Sequence, residues 1–173
     1  RSIALKDPID KTVHHTEQDK GATVLHRWEA RDVPRAFPEP NMPEMYTVVQ
    51  RVLVSTVPDW EYVSRWYWTL SEPHYTLTPE IAGKVGALTN GLDFAADKIQ
   101  ALFRFVAQDI RYMGSIAESE APGYEPHDVS RTFAERHGVC RDKAALLVAM
   151  LRTAGLEAFP TPIQHGPRKD AEV

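Results

Sequence analysis

The sequence predicts an α+β protein in two parts, a β-rich front followed by a helical lobe that leads into a strand. Three observations predict it. Apolar and polar residues alternate through much of the chain before Val57. From Trp60 to Arg152 apolar residues recur instead every three or four positions, the period of a helix buried on one side. Runs of turn-forming residues, above all the proline-rich stretch 31–43, separate these segments.

Composition narrows the function. The 173 residues suffice for one ordinary domain or two small ones, and 43% hydrophobic with 25% charged residues is globular composition. A net charge of -4, with no Lys/Arg run interleaved with aromatics, argues against nucleic acid as a partner. No apolar run approaches the ~20 residues of a membrane span. The chain begins at Arg1 rather than Met and reads as a piece of something longer, so a missing leader says little about compartment. A lone cysteine excludes an internal disulfide and a cysteine-rich zinc site. No Asp/Asn-rich loop has calcium-binding spacing, and neither cofactor nor metal is expected.

In order along the chain, residues 1–20 are polar and read as a solvated strand or loop. His14 and His15 are adjacent and so point to opposite faces of a strand; with no third ligand close in sequence they do not read as a metal site. Asp19-Lys20-Gly21 is a hairpin turn. Residues 22–30 then alternate, with Val24, His26 and Trp28 on one face. Residues 45–57 form the best strand of the sequence, with Tyr46, Val48, Val52 and Val54 sharing a face. These strands are expected to pack sheet on sheet.

Asp59 is a suitable N-cap for a helix carrying Val63, Trp66, Tyr67 and Leu70 on one side. The aromatic group Trp60, Trp66, Tyr67 and Trp68 reads as core or interface filling rather than a sugar- or peptide-stacking platform, given how much area such rings bury. Residues 71–78 read as a linker, which divides the chain into 1–70 and 71–173. Thr78 and Pro79 then have N-cap and first-turn character, and that helix ends near Asn90-Gly91. Asp93 is expected to cap a third helix with Ile99, Leu102, Phe103, Val106 and Ile110 inward. Residues 130–138 form a short helical turn closed by Gly138, Gly155 ends the last helix, and 156–165 alternates as a strand.

Cys140 stands just after a glycine turn and just before the most apolar helical run, Ala144 to Leu151. At a helix N-terminus, unpaired N–H groups and the helix dipole favour an anionic sulfur, and Arg141 and Lys143 add positive charge nearby. A nucleophilic thiolate there suits a cysteine hydrolase or acyltransferase, whereas a buried structural cysteine is the plainer reading. Asp142 stabilises the first turn, Lys143 is expected to pair with a carboxylate, and Ala144 and Ala145 allow close helix packing. Such a cysteine needs a histidine in reach. His137 reads as solvent-facing and His127 as a turn residue. His165 is therefore the candidate base within the chain, and Asp170 a weaker partner for it.

The run Gly123-Tyr124-Glu125-Pro126, then Gly138-Val139-Cys140-Arg141-Asp142-Lys143-Ala144 and on to Gly155-Leu156-Glu157-Ala158, resembles the bacterial transglutaminase-like superfamily. The resemblance spans about Asp93 to His165; Arg111-Tyr112 also has a family counterpart. Val139 and Arg141 depart from the Asp and Lys that many relatives carry. The front part resembles the end of a β-rich domain of unknown function that often precedes such cores in exported bacterial proteins. The resemblance implies a papain-like fold whose helical lobe and first strand are present here, with the family's His and Asp on strands beyond Val173. It implies a cysteine peptidase or amidase acting on peptide or protein amides through a Cys140 thioester, or a transamidase where an amine is the acceptor, located in the periplasm. The alternative is a catalytically inactive binding or assembly module of the same fold.

Overall fold

The computed structural model describes residues 2–6, 13–35, 37–43, 48–113 and 123–163. They fall into two compact units, one reaching Trp60 and the other spanning Glu61–Pro162. This division falls at the first residue of the helix that begins at Trp60.

The first unit is built of strands. β1 (Ser2–Lys6) pairs antiparallel with β4 (Arg51–Ser55), and β2 (Val13–Asp19) pairs antiparallel with β3 (Val24–Ala30). The β2–β3 turn is closed by Lys20 N–H donating to Thr23 O at 2.9 Å, and the Asp19 carboxylate accepts from Gly21 N–H at 2.7 Å. That is the expected hairpin. β4 is shorter than the expected 45–57: residues 48–50 and 56–57 are not strand. Val48 lies outside this strand, and Tyr46 lies outside the described residues.

The second unit is mainly helical. Its elements are α1 (Trp60–Ser71), a 3-10 turn (Glu72–Tyr75), α2 (Pro79–Thr89), α3 (Ala95–Gln108), β5 (Arg111–Tyr112), α4 (Val129–Glu135), β6 (His137–Gly138) and α5 (Cys140–Thr153). The Thr78 hydroxyl accepts from Ile81 N–H at 3.4 Å with Pro79 opening α2, as residue type predicts. Asp93 does not cap α3; the cap position is Phe94, which has no side-chain acceptor. The stretch 71–78 is no plain linker, since Tyr75 of the 3-10 turn is part of the core.

That core is gathered around α5. Ala145, Leu146, Val148, Ala149 and Met150 pack with Ile81 and Val85 of α2, Leu102, Phe105 and Val106 of α3, and Ile110, Val129 and Tyr75. A helix apolar around most of its circumference belongs at the centre of a lobe. On α3 the buried face is Leu102, Phe105 and Val106, whereas Ile99 and Phe103 are exposed. Phe103 stands about 100° around the helix from Leu102, which carries it off the buried stripe.

Three further expectations are corrected. Gly138 does not close α4: Arg136 does, in a left-handed conformation (φ 56°), with its guanidinium over the Phe133 ring at 4.2 Å. Ala144 is exposed, and only Ala145 makes the close packing. Residues 156–163 form no strand, because no described segment offers them a ladder. At the end of α5 Leu156 N–H donates to Leu151 O at 3.0 Å across Gly155 (φ 78°). This 6→1 closure needs a left-handed residue, which is why a glycine stands there. Among the described residues no helix is long and apolar enough to cross a membrane.

Candidate functional site

The chain enters α5 from a short parallel pairing, Arg111 opposite His137 and Tyr112 opposite Gly138. Arg111 N–H donates to Arg136 O at 2.8 Å and Met113 N–H to Gly138 O at 3.2 Å, which fixes the backbone just before Val139. Val139 is the N-cap and cannot cap with its own side chain. Asp142 acts in its place: its Oδ2 accepts from Val139 N–H at 2.9 Å, the reciprocal half of a capping box. Cys140 is then the first residue of the helix, and its thiol is free and exposed. First-turn N–H groups have no intrahelical acceptor, so the sulfur stands at the positive end of the helix dipole.

Asp142 ties this turn to the loop before α4. Its Oδ1 accepts from His127 N–H at 2.9 Å and lies 3.3 Å from His127 Nδ1, while only 2% of the residue is exposed. Space around the carboxylate is tight. A Cβ on Gly138 would sit 2.8 Å from Asp142 Cβ and 3.3 Å from Thr132 Cγ2, so the glycine is there for close approach.

The flanking cations do not surround the sulfur as free charges. Arg141 Nε donates to Glu125 O at 2.6 Å. Among the described residues Lys143 pairs with no carboxylate; its Nζ donates to Ile110 O at 2.6 Å and Ala107 O at 3.3 Å, at the end of α3, and burial lowers its pKa. Tyr67 of α1 is 7% exposed. Burial raises the pKa of its phenol, and the neighbouring Tyr75 and Cys140 add to the rise. Tyr67 is thus a neutral hydroxyl within electrostatic range of the cysteine.

The other aromatics of α1 face solvent, contrary to the expected core filling. Trp60, Trp66 and Trp68 are all exposed, Trp66 by 43%. Trp66 packs edge-on against Tyr124, with ring centroids 5.7 Å apart. The helix presents more aromatic surface than one buried face can hold, so Tyr67 enters the core and its neighbours line the outside.

Of the residues singled out in the sequence, Cys140 is the first residue of α5. His165 and Asp170 lie outside the described residues. His127 is engaged by Asp142, and His137 lies 3.4 Å from Glu135 Oε2. Two features escaped the sequence reading. The Asp142 anchor was legible as an acidic residue at the third helical position, the one place that can answer for a valine N-cap. The placing of Tyr67 within electrostatic range of Cys140 gave no signal, since only the tertiary structure sets it.

Residues 81–159 match the family model of the transglutaminase-like superfamily. Among solved structures, the chain is similar in fold to a "putative protease" from Parabacteroides distasonis ATCC 8503, with TM-score 0.60 and 19% identity. The alignment covers 90% of this chain and 30% of that one, so this chain spans under a third of that protein's length. No curated protein matches the sequence.

Proposed function

We propose that the second unit is the nucleophile-bearing lobe of a transglutaminase-like cysteine hydrolase, a peptidase or amidase, with Cys140 as its nucleophile. The observation that carries this reading is the exposed, free sulfur on the first residue of a helix that supplies Ala145, Leu146, Val148, Ala149 and Met150 to the core. In the reaction, the thiolate attacks an amide carbonyl carbon and a tetrahedral oxyanion forms. The C–N bond then breaks, the amine leaves with a proton from the base, and a thioester remains on Cys140. Water attacks the thioester to release acid and thiol; an amine in place of water gives transamidation. The N–H of Cys140 is the first candidate donor to the oxyanion, being one of the helix's unpaired amides. His165 remains the candidate base in this chain.

A second reading, a non-catalytic binding module, draws on the exposed rings of Trp66 and Tyr124. Alkylation separates the two. Iodoacetamide at mildly acidic pH is expected to add one carbamidomethyl group at Cys140 faster than it alkylates a free model thiol, followed by intact mass, and Cys140→Ser is expected to abolish the addition. Labelling no faster than the model thiol would overturn the hydrolase reading and leave the binding module.

A further inference from the structure

The β2–β3 hairpin of the first unit brings together residues that the sequence keeps apart. Residues two apart on a strand share a face, so His15 and Glu17 project together from β2. The antiparallel register sets Glu17 opposite His26 and His15 opposite Trp28. All four side chains therefore crowd one face. His15 Nε2 lies 3.1 Å from His26 Nδ1, and His26 Nδ1 lies 3.6 Å from Glu17 Oε2. One ligand atom from each of the three residues fits within a 4.8 Å cluster. The third and fourth members come from across the turn, which is why His14-His15 alone did not disclose the cluster.

From this we infer that His15, Glu17 and His26 form a binding site for a borderline divalent cation, Zn2+ in the first instance. The spacing fits. Bonds of 2.0–2.1 Å at tetrahedral angles set donor atoms about 3.3 Å apart, between the two distances observed. The donor set fits as well, because two neutral imidazoles and one carboxylate match Zn2+ and the later transition metals, not Mg2+ or Ca2+. Three protein ligands leave a fourth position for water. The Trp28 indole backs the site, its ring centroid 4.8 Å from that of His15 with 9° between the planes. That contact gives the site a flat wall; the His15 and His26 planes lie 14° apart, and a rotation of the rings turns both nitrogens onto one ion. His14, next in sequence, points to the opposite face and takes no part.

Zinc titration of the untagged chain tests this, followed by calorimetry and in a Cys140→Ser background so that the thiol cannot contribute. One Zn2+ per chain is expected, with Mg2+ giving no heat. Loss of an outer-shell partner alone typically weakens a metal site about 10- to 100-fold. His15→Ala and His26→Ala should therefore each weaken Zn2+ by more than about tenfold, while His14→Ala leaves it unchanged. Glu17→Gln keeps the side-chain shape on an exposed strand and should also weaken binding, with the far-UV circular dichroism unaltered. Absence of stoichiometric binding, or binding that survives the His15, Glu17 and His26 substitutions, would overturn the assignment.

Discussion

Asp142 shows how much one side chain contributes to placing the sulfur. It accepts from Val139 N–H, receives His127 N–H and sits in a space that only a glycine at 138 leaves open. Truncation to alanine would strand two backbone donors in a buried place, and each unpaired buried group costs about 1–3 kcal/mol. Asp142→Ala is thus expected to destabilise the second unit by a few kcal/mol, of order 2–6 by that rule. The midpoint of urea unfolding measures this. Because the lost bonds hold the entry to α5, the alkylation rate of Cys140 should change in the same variant at urea concentrations where it remains folded. A change in midpoint with no change in alkylation would show that Asp142 supports the fold without positioning the cysteine. In sequence, the third-position acid next to an uncapped valine was readable. Its grip on His127, fifteen residues upstream, was not, because a loop closes that distance.

Between elements, Lys143 links α5 to the end of α3. Its ammonium reaches Ile110 O and Ala107 O, carbonyls near the helix terminus that have no partners further along α3. A cation there also suits the negative end of the α3 dipole. Lys143→Met keeps the aliphatic stem and removes the donor, and it is expected to cost about 1 kcal/mol. Amide exchange should quicken in the last turn of α3 more than in α5; uniform acceleration would contradict a local capping role. This contact could not be foreseen, and a carboxylate partner was the expectation, because sequence shows charges but not the exposed ends of neighbouring helices. The helices themselves were legible from their period and their caps, Thr78 and Gly155 above all. Their exact faces were less so: period alone placed Ile99 and Phe103 inward, while the packing of α5 selected Phe105. Residues 156–163 had the alternation of a strand, but alternation supplies only a face, and a strand also needs a ladder.

For the molecule as a whole, the two units rest on different physics. The described front strands leave Val24, Leu25 and Val54 exposed, whereas the second unit has a continuous apolar core. Long-range polar contacts also close that second unit. Arg152 Nη1 meets both carboxylate oxygens of Glu72 at 3.1 Å across 80 residues of sequence, and Arg152 Nε donates to Ala158 O. His74 spans 54 and 51 residues of sequence, 2.7 Å from Asp128 Oδ1 and 2.9 Å from Glu125 Oε1. Burial pushes its pKa down, but the hydrogen bonds to Asp128 and Glu125, with their charges, outweigh burial and raise it. A raised value means that the folded chain holds this proton more tightly than the unfolded chain does. The stabilisation is complete below the ordinary imidazole value of about 6.5 and fades as pH climbs through the higher folded value. His74→Asn cannot carry the charge. The difference in urea midpoint between the parent and this variant should therefore be largest near pH 6 and shrink by about pH 9, on the linkage of proton binding to folding. A difference that stays constant over that range would mean that the imidazole holds the 3-10 turn to the loop before α4 by shape or neutral hydrogen bonds, without the charge.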